Sequence, residues 1–227
     1  MTQATSPRQD KQMRAYHFLN SKYGLENIRN RRMKISRLQD LNDPFELLSI
    51  ELSDERLRKR LGEFKERMSY DRGILCFSRS SANPVQWSHY ADRHRGLCLG
   101  FEIHNSLPVR VEYTARRLAK ELVAIPVNRD VMKRLLCTKY SHWKYEREER
   151  VFVSLEDKDR DSEGRYFETF SPRLKLFQVI VGARSTITRP TVEEAMGSLA
   201  AEVTVFKARL AFRSFSVVRN WNEALWT

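Results

Sequence analysis

Three short segments of this 227-residue chain carry polar and aromatic side chains of types that perform chemistry. His17 interrupts an apolar strand, and Trp87 and Tyr90 lie three positions apart in a short helical segment. Further along, three glutamates between positions 146 and 149 lead into a strand together with Arg150. Each group also has an ordinary structural interpretation, as a hydrogen-bonded core histidine, packing aromatics or solvated strand-edge charges. Their chemical meaning therefore depends on whether the fold brings them together.

The strand after the glutamates determines which acids share a face. Side chains of a strand alternate between its two faces. Extending the pattern backwards places Glu146 and Glu148 on one face with Arg150, and Glu149 on the other. An arginine beside two carboxylates holds and tunes one of them. A carboxylate held in this way can orient a ribose hydroxyl or deprotonate an acceptor.

The elements that must position these residues form a mixed pattern. The motif NDPFE, with Asn42 and Asp43, is a turn because the residue before a proline avoids helical angles. Strands are predicted over 14–19, 33–38, 73–78, 96–103, 109–113, 150–155, 166–170, 174–181, 203–210 and 215–218. Helices are predicted after a cap at Asn20 or Ser21, over 53–69 with a Ser53 cap, over 85–92 and 128–140, and from a capping box at Thr191. The pattern predicts one α+β domain over residues 14–227 after a flexible N-terminal segment, residues 1–13.

Composition excludes several classes of protein. No apolar run approaches the roughly 20 residues of a membrane helix, and the N-terminus lacks the apolar region of a signal peptide. Three scattered cysteines form neither a disulfide framework nor a CxxC metal motif. Glycine-rich phosphate loops, HExxH and GxSxG are also absent from the sequence. We therefore expect a cytoplasmic protein with no membrane partner.

The positive charge of the chain is unevenly distributed. The formal net charge is +12, and the excess is concentrated in residues 1–40 and 110–150. A basic surface attracts polyanions, and contacts to phosphates release counterions. The charge therefore predicts a phosphate-rich ligand or a nucleic acid near these two stretches, with an ordinary solvated surface as the alternative.

The order of motifs resembles a bacterial domain family of unknown function. The matching segments are YHFL, LNDPFE, GILCFS, NPVQWSHYADRHRGLCLGF, WKYEREERVF and VIVG, which span residues 14–184. Members of that family show an NDPFE-like turn, a WxHYAxxHxG segment and a WxYExExR segment in the same order. The layout is also similar to that of the ADP-ribosyltransferases, especially the DNA-modifying toxins. That likeness implies mixed or antiparallel split β-sheets with flanking helices.

The resemblance to ADP-ribosyltransferases implies NAD as a substrate and a role for each motif. His17 would hold a ribose of NAD, and Tyr90 or Trp87 would stack on nicotinamide. Glu148, with Glu146 as the alternate, would bind the ribose hydroxyl beside the bond that breaks. Asn42 and Asp43 would lie on a loop near the cofactor. Arg150, or a basic residue of the first stretch, would hold the pyrophosphate.

Three functions follow as hypotheses. The first is an NAD-using ADP-ribosyltransferase or NAD glycohydrolase, acting as a toxin or phage-defence effector and controlled by an antitoxin or regulatory protein. The second is a non-catalytic nucleic-acid-binding module, which the net charge favours. The third is a metal-dependent nuclease that uses Glu146, Glu148 and Asp43, although the sequence holds no recognisable metal motif.

Overall fold

The structure, a computed structural model, describes residues 11–46, 48–119 and 129–227. These residues form twelve strands and five α-helices in one sheet-dominated domain. The strands are β1 Gln12–Leu19, β2 Arg32–Arg37, β3 Arg72–Ser78, β4 Leu97–His104, β5 Pro108–Arg110, β6 Glu112–Thr114, β7 Thr138–Tyr140, β8 Glu148–Ser154, β9 Tyr166–Thr169, β10 Leu174–Val181, β11 Thr204–Leu210 and β12 Val217–Arg219. The α-helices are α1 Ser21–Arg29, α2 Glu55–Asp71, α3 Pro84–Tyr90, α4 Arg129–Leu136 and α5 Arg189–Met196. The predicted mixture of helices and strands is confirmed.

Ten of the described strands form a single mixed sheet. Its main path runs β12–β11–β10–β4–β1–β3–β2–β9, and β8 and β5 continue it from the other edge of β3. The pairings in this sheet are antiparallel except between β10 and β11. The short strands β6 and β7 form a separate parallel pair. The sheet therefore branches at β3, which is the strand nearest the predicted site.

β1 and β3 are in contact over a very short length. β1 pairs with β4 along all eight of its residues. With β3 it shares one register pair, Tyr16 opposite Ser78. The other end of β3 pairs with β2 at Gly73 and Ile74, and its opposite edge pairs with β8 over its whole length. The gap between β1 and β2 along one edge of β3 opens a crevice in the sheet.

The core holds this branched sheet in place from both faces. Alternate residues of β4, including Leu99 and Phe101, are fully buried in the main apolar cluster. Cys98, which points to the other face, joins a second cluster with Phe18 and Trp87. Full burial of a large apolar side chain contributes roughly 1.5–3 kcal/mol. The two clusters fix β4 and β1, which form one wall of the crevice.

Several element boundaries differ from the sequence predictions, and three of the differences concern the first strand and the segments near the ion pairs of β8. β1 begins at Gln12, two residues before the predicted domain start, because its pairing with β4 continues to that position. Residues 1–10 of the predicted flexible segment lie outside the described residues. The predicted strand 109–113 divides at Val111, whose N–H donates to Glu148 O. The predicted helix 128–140 ends at Leu136, and 138–140 form β7 beside β6. Position 128 also lies outside the described residues.

Two helix caps also differ from their predicted positions. α2 is capped by Asp54, which accepts from Arg56 N and Leu57 N, rather than by Ser53. α5 is capped by Thr188 rather than Thr191, and a proline follows in its first turn. An N-cap residue satisfies N–H groups that the helix itself leaves free. Among the described helices, none combines the length and the apolar character that crossing a membrane requires.

Gly96, which precedes β4, gives a direct test of this packing. A Cβ at that position would lie 2.0 Å from Leu19 O, a backbone atom that cannot move aside. We expect Gly96→Ala to lower the free energy of unfolding by about 3 kcal/mol, because overpacking forces the backbone apart. Urea unfolding followed by circular dichroism measures the loss.

Gly62 in the exposed part of α2 is the matched control. A Cβ there meets no atom within 4 Å. We expect Gly62→Ala to raise the free energy of unfolding by up to about 1 kcal/mol, because alanine favours helix over glycine. Equal effects of the two substitutions would contradict the close approach at Gly96.

Candidate active-site cleft

A cleft of about 260 Å³ occupies the crevice between β1 and β2 along the edge of β3. Its walls include side chains of β1, β2, β3 and the end of α3. The polar side chains that concern its chemistry are His17, Asn42, Tyr90, Lys139, Glu146 and Glu148. The structure thus brings together five of the eight residues predicted from the sequence. Lys139 is a sixth polar group of the cleft, and it was not predicted from the sequence.

A group of five buried charged residues lies beneath this cleft, and three of them, Lys139, Glu146 and Glu148, form its floor. We refer to Glu46, Lys139, Glu146, Glu148 and Arg150 as the ion cluster. Every member is at most 5% exposed. Burying a charge costs several kcal/mol unless partners with good geometry replace its hydration. The three carboxylates and two cations leave the cluster with one net negative charge when all are ionised.

Arg150, which is fully buried, is the centre of the ion cluster. Its guanidinium donates to both oxygens of Glu46, at 2.5 and 2.8 Å, and to both oxygens of Glu148, at 2.8 and 3.1 Å. A further N–H donates to Leu136 O, at 2.6 Å, which is a free carbonyl at the end of α4. Two-point pairing of this kind fixes the orientation of both carboxylates.

Lys139 lies among all three carboxylates of the cluster. Its ammonium nitrogen is 2.8 Å from Glu146, 2.9 Å from Glu148 and 3.5 Å from Glu46. Burial lowers the pKa of this lysine, but the three carboxylates overcome that effect and raise it above its ordinary value. Lys139 is therefore charged at neutral pH and links Glu146 to Glu148.

The two glutamates that line the cleft differ in their electrostatics. Burial favours the neutral form of Glu148, but Arg150 and Lys139 overcome it and lower its pKa to about 2. Burial raises the pKa of Glu146 above its ordinary value, and Lys139 offsets that effect only in part. Glu148 is therefore a permanent carboxylate, whereas Glu146 takes up a proton more readily.

Tyr90 connects the ion cluster to the open side of the cleft. Its hydroxyl donates to a carboxylate oxygen of Glu146 and accepts from Asn42 Nδ2 at 2.7 Å. Burial, followed by the neighbouring Glu146, raises the pKa of this phenol. The ring of Tyr90 is half-buried, so one part is held by the hydrogen bonds and another faces the cleft.

Two polar residues that line the cleft hold α3 against β3. Gln86 Nε2 donates to Glu146 O at 3.0 Å, while its carbonyl accepts from the Ser78 hydroxyl at 3.0 Å. Arg147, with a left-handed φ of 48°, separates Glu146 from Glu148 and ends a 3₁₀ helix. These contacts fix the position of Glu146 from both of its neighbouring elements.

His17 is a neutral imidazole on the β1 wall. Burial lowers its pKa, which the hydrogen bond to Cys76 O partly opposes. That bond is 2.8 Å long and joins Nδ1 to a carbonyl, so Nδ1 must carry the proton. The other nitrogen, Nε2, is then a hydrogen-bond acceptor, which suits the hydroxyl of a sugar.

Three of the predicted site residues do not reach the cleft. Trp87 is fully buried against Phe18 and donates to Ser81 O, so the prediction that it could stack on nicotinamide is wrong. Asp43 is buried and accepts from Phe45 N, within its own turn. Arg150 is enclosed by the ion cluster, so the prediction that it could hold a pyrophosphate is also wrong.

Two members of the ion cluster were missed by the sequence reading. Glu46 lies in the NDPFE motif, and its place there was the available signal. Lys139 fell in a segment predicted as helix, so its side chain could not be assigned to a site. The alternation predicted for β8 is confirmed for Glu148 and Arg150, which share a face and bond to each other. Its extension to Glu146 is wrong, because Glu146 lies in a 3₁₀ helix before the strand and joins the cluster through Lys139.

The geometry does not favour a metal-dependent nuclease. The ammonium of Lys139 already fills the space between Glu146 and Glu148 in which a cation would bind. Asp43, the third proposed ligand, is held by its own turn. Within 11–46, 48–119 and 129–227, no group of three or more His, Cys, Asp or Glu side chains is placed to hold a metal ion.

A second groove of about 240 Å³ adjoins the cleft. His17, Phe18 and Ser36 line both cavities. The basic side chains along the second groove are Arg32, Lys34 and Arg165. Asn27 also lines it, and its buried side-chain nitrogen has no hydrogen-bond partner. A buried amide without a partner is rare, because its desolvation is uncompensated.

Comparison with known proteins found no relative of this chain. Neither protein-family models, nor curated proteins, nor solved structures gave a match to the chain. The fold and the site together therefore describe a mixed α/β domain with a charged cleft at the branch of its sheet. Its function is inferred from the residues of that cleft.

Glu148→Gln tests the electrostatics of the ion cluster. We expect the substitution to lower the free energy of unfolding by about 3 kcal/mol at neutral pH, because it leaves buried cations uncompensated. The carboxylate contributes stability above its ordinary pKa of 4.5, and this is lost as the pH falls towards about 2. The difference in the free energy of unfolding between wild type and variant should therefore decrease as the pH is lowered from about 6 to about 3.

Glu102→Gln is the control for this measurement. Glu102 pairs at 3.0 Å with Arg14, whose side chain is 65% exposed. Pairs of this kind contribute less than about 1 kcal/mol. Urea unfolding at several pH values measures the free energy of unfolding of both variants. A loss in Glu148→Gln that stays constant with pH would contradict the lowered pKa of Glu148.

Proposed function

We propose that the protein uses NAD as a substrate and cleaves its nicotinamide–ribose bond, as an ADP-ribosyltransferase or an NAD glycohydrolase. One observation carries this proposal. A permanently ionised carboxylate, a half-buried tyrosine ring and a neutral histidine line one cleft, in the order that the resemblance to ADP-ribosyltransferases implies. The finer assignment of the fold as ADP-ribosyltransferase-like, with a split sheet, is part of the same proposal.

The charges of the cleft suit this reaction. Cleavage of a glycosidic bond builds positive charge on the ribose in the transition state. A carboxylate fixed beside that charge stabilises it without reorganising during the reaction. Glu148 is held in place by Arg150 and Lys139, so it is already oriented before the substrate binds. The cluster's net negative charge adds to the same effect.

The remaining side chains of the cleft have roles in binding. The ring of Tyr90 would stack on nicotinamide, and its bonds to Glu146 and Asn42 fix its orientation. Nε2 of His17 would accept a hydrogen bond from a ribose hydroxyl. Glu146, which takes up a proton more readily, would act as the base for the acceptor.

The second groove suits the other half of NAD. A dinucleotide is longer than the cleft alone, and His17 lies at the boundary between the two cavities. The basic side chains of Arg32 and Lys34 would attract the pyrophosphate. These residues replace Arg150 in the role that the sequence assigned to it.

Release of nicotinamide from NAD, measured by chromatography, tests the proposed reaction. We expect Glu148→Gln to lower the rate by about 100-fold, because the carboxylate opposite the developing charge is lost. The assay is made at a temperature where circular dichroism shows the variant to be folded. Binding of NAD, measured by calorimetry, should be retained.

Glu149→Gln is the matched control in the same strand. Glu149 is also buried, but it pairs with Arg110 and Arg79 on the other face of β8. Its substitution should leave the rate of nicotinamide release within about threefold of wild type. The proposal fails if the wild-type protein neither binds NAD nor releases nicotinamide with any cell extract, or if the two variants behave alike.

Tyr90 variants separate the ring from the hydroxyl. We expect Tyr90→Phe to keep the affinity for NAD, since the stacking surface remains, and Tyr90→Ala to weaken it about tenfold. Tyr70→Ala, in the exposed part of α2, is the control and should bind like wild type. Equal affinities of Tyr90→Ala and wild type, measured by calorimetry, would remove the ring from the binding site.

A further inference from the structure

The C-terminal part of the domain exposes aromatic rings that the fold does not use. Ten large apolar or aromatic side chains are exposed in the described residues, and half of them lie between positions 210 and 225. Phe212, Phe215 and Trp221 are 88%, 99% and 74% exposed. We refer to these three residues as the aromatic surface. Concentrated exposure of this kind marks an interaction site.

Arginines accompany the rings of the aromatic surface. The guanidinium of Arg209 lies 4.4 Å from the centre of the Phe212 ring, and that of Arg219 lies 4.4 Å from the Trp221 ring. Arg213 is exposed between the two phenylalanines. Residues 204–227 hold four basic and one acidic side chain. The aromatic surface is therefore both apolar and positively charged.

The backbone holds this surface in a defined place. The loop between β11 and β12 is closed by Ala211 N–H, which donates to Ser216 O at 2.9 Å. Val217 N–H donates to Ala82 O at 2.9 Å, in the segment that leads into α3. The rings thus project from a hairpin that is fixed to the sheet on one side and to the start of α3 on the other.

The positive charge of the aromatic surface favours one class of binding partner over the others. Arg219 already pairs with Glu223 at 3.0 Å. A second copy of the chain would bring the remaining like charges together, and a purely apolar partner would leave Arg209 and Arg213 without counterions. A single-stranded nucleic acid satisfies both features, because bases stack on exposed rings while arginines contact phosphates. Bases in a duplex are already stacked on each other, so a projecting ring reaches their faces only by unstacking a base step, which costs a few kcal/mol.

We propose that the aromatic surface binds single-stranded nucleic acid, with its rings stacking on successive bases. The proposal rests on the hairpin alone and is independent of the chemistry in the cleft. The shared chemistry of bases and phosphates applies to DNA and RNA, so both are used as probes.

Fluorescence anisotropy with labelled oligothymidylate and oligouridylate of about 20 nucleotides tests the proposal. We expect the wild-type protein to bind at least one of them more tightly than a duplex of equal length. The variant Phe212→Ala/Phe215→Ala/Trp221→Ala should weaken binding by at least about 100-fold, since each stacked base contributes roughly fivefold or more. These side chains are exposed, so circular dichroism should show an unchanged fold.

Two controls separate stacking from charge. Tyr70→Ala removes an aromatic ring that is 70% exposed on α2, and it should leave binding unchanged. Arg213→Gln should weaken binding and reduce its salt dependence, because one phosphate contact is lost. The proposal is overturned if neither probe binds, if the triple variant binds like wild type, or if the duplex binds more tightly. It is also overturned if sedimentation shows that the rings mediate self-association and have no effect on the probes.

Discussion

Burial of Arg150 is the constraint on which the rest of the structure depends. A guanidinium with no exposed surface requires carboxylates at bonding distance, since its desolvation costs several kcal/mol. Its partners come from the NDPFE turn and β8, with a carbonyl at the end of α4. The cluster therefore fixes segments that are more than 100 positions apart in the chain. It also determines which carboxylate oxygens face the cleft.

The branch of the sheet supplies the space that the charges require. β1 leaves β3 after a single register pair, and β2 takes the same edge further along. A continuous ladder would have filled this position with backbone hydrogen bonds and packed side chains. Instead, His17 on one wall and Glu148 on the floor face a cavity. The cavity and the charges that line it thus arise from different features of the fold.

Much of this arrangement follows from local patterns, and the remainder does not. Alternation along β8 predicted that Glu148 and Arg150 share a face, because the period of a strand is fixed by its geometry. The same local rules could not show that Trp87 packs against Phe18 while Tyr90, three positions later, reaches the cleft. Lys139 was missed because its role depends on contacts between distant segments, and helical spacing in 128–140 concealed a strand.

A crystal structure of the Glu148→Gln variant with NAD is the most direct test of the central claim. The account predicts the nicotinamide ring against Tyr90, a ribose hydroxyl at hydrogen-bond distance from position 148, and the pyrophosphate beside Arg32 and Lys34. A clear density for NAD at any other place, with the cleft between β1 and β2 empty, would contradict it.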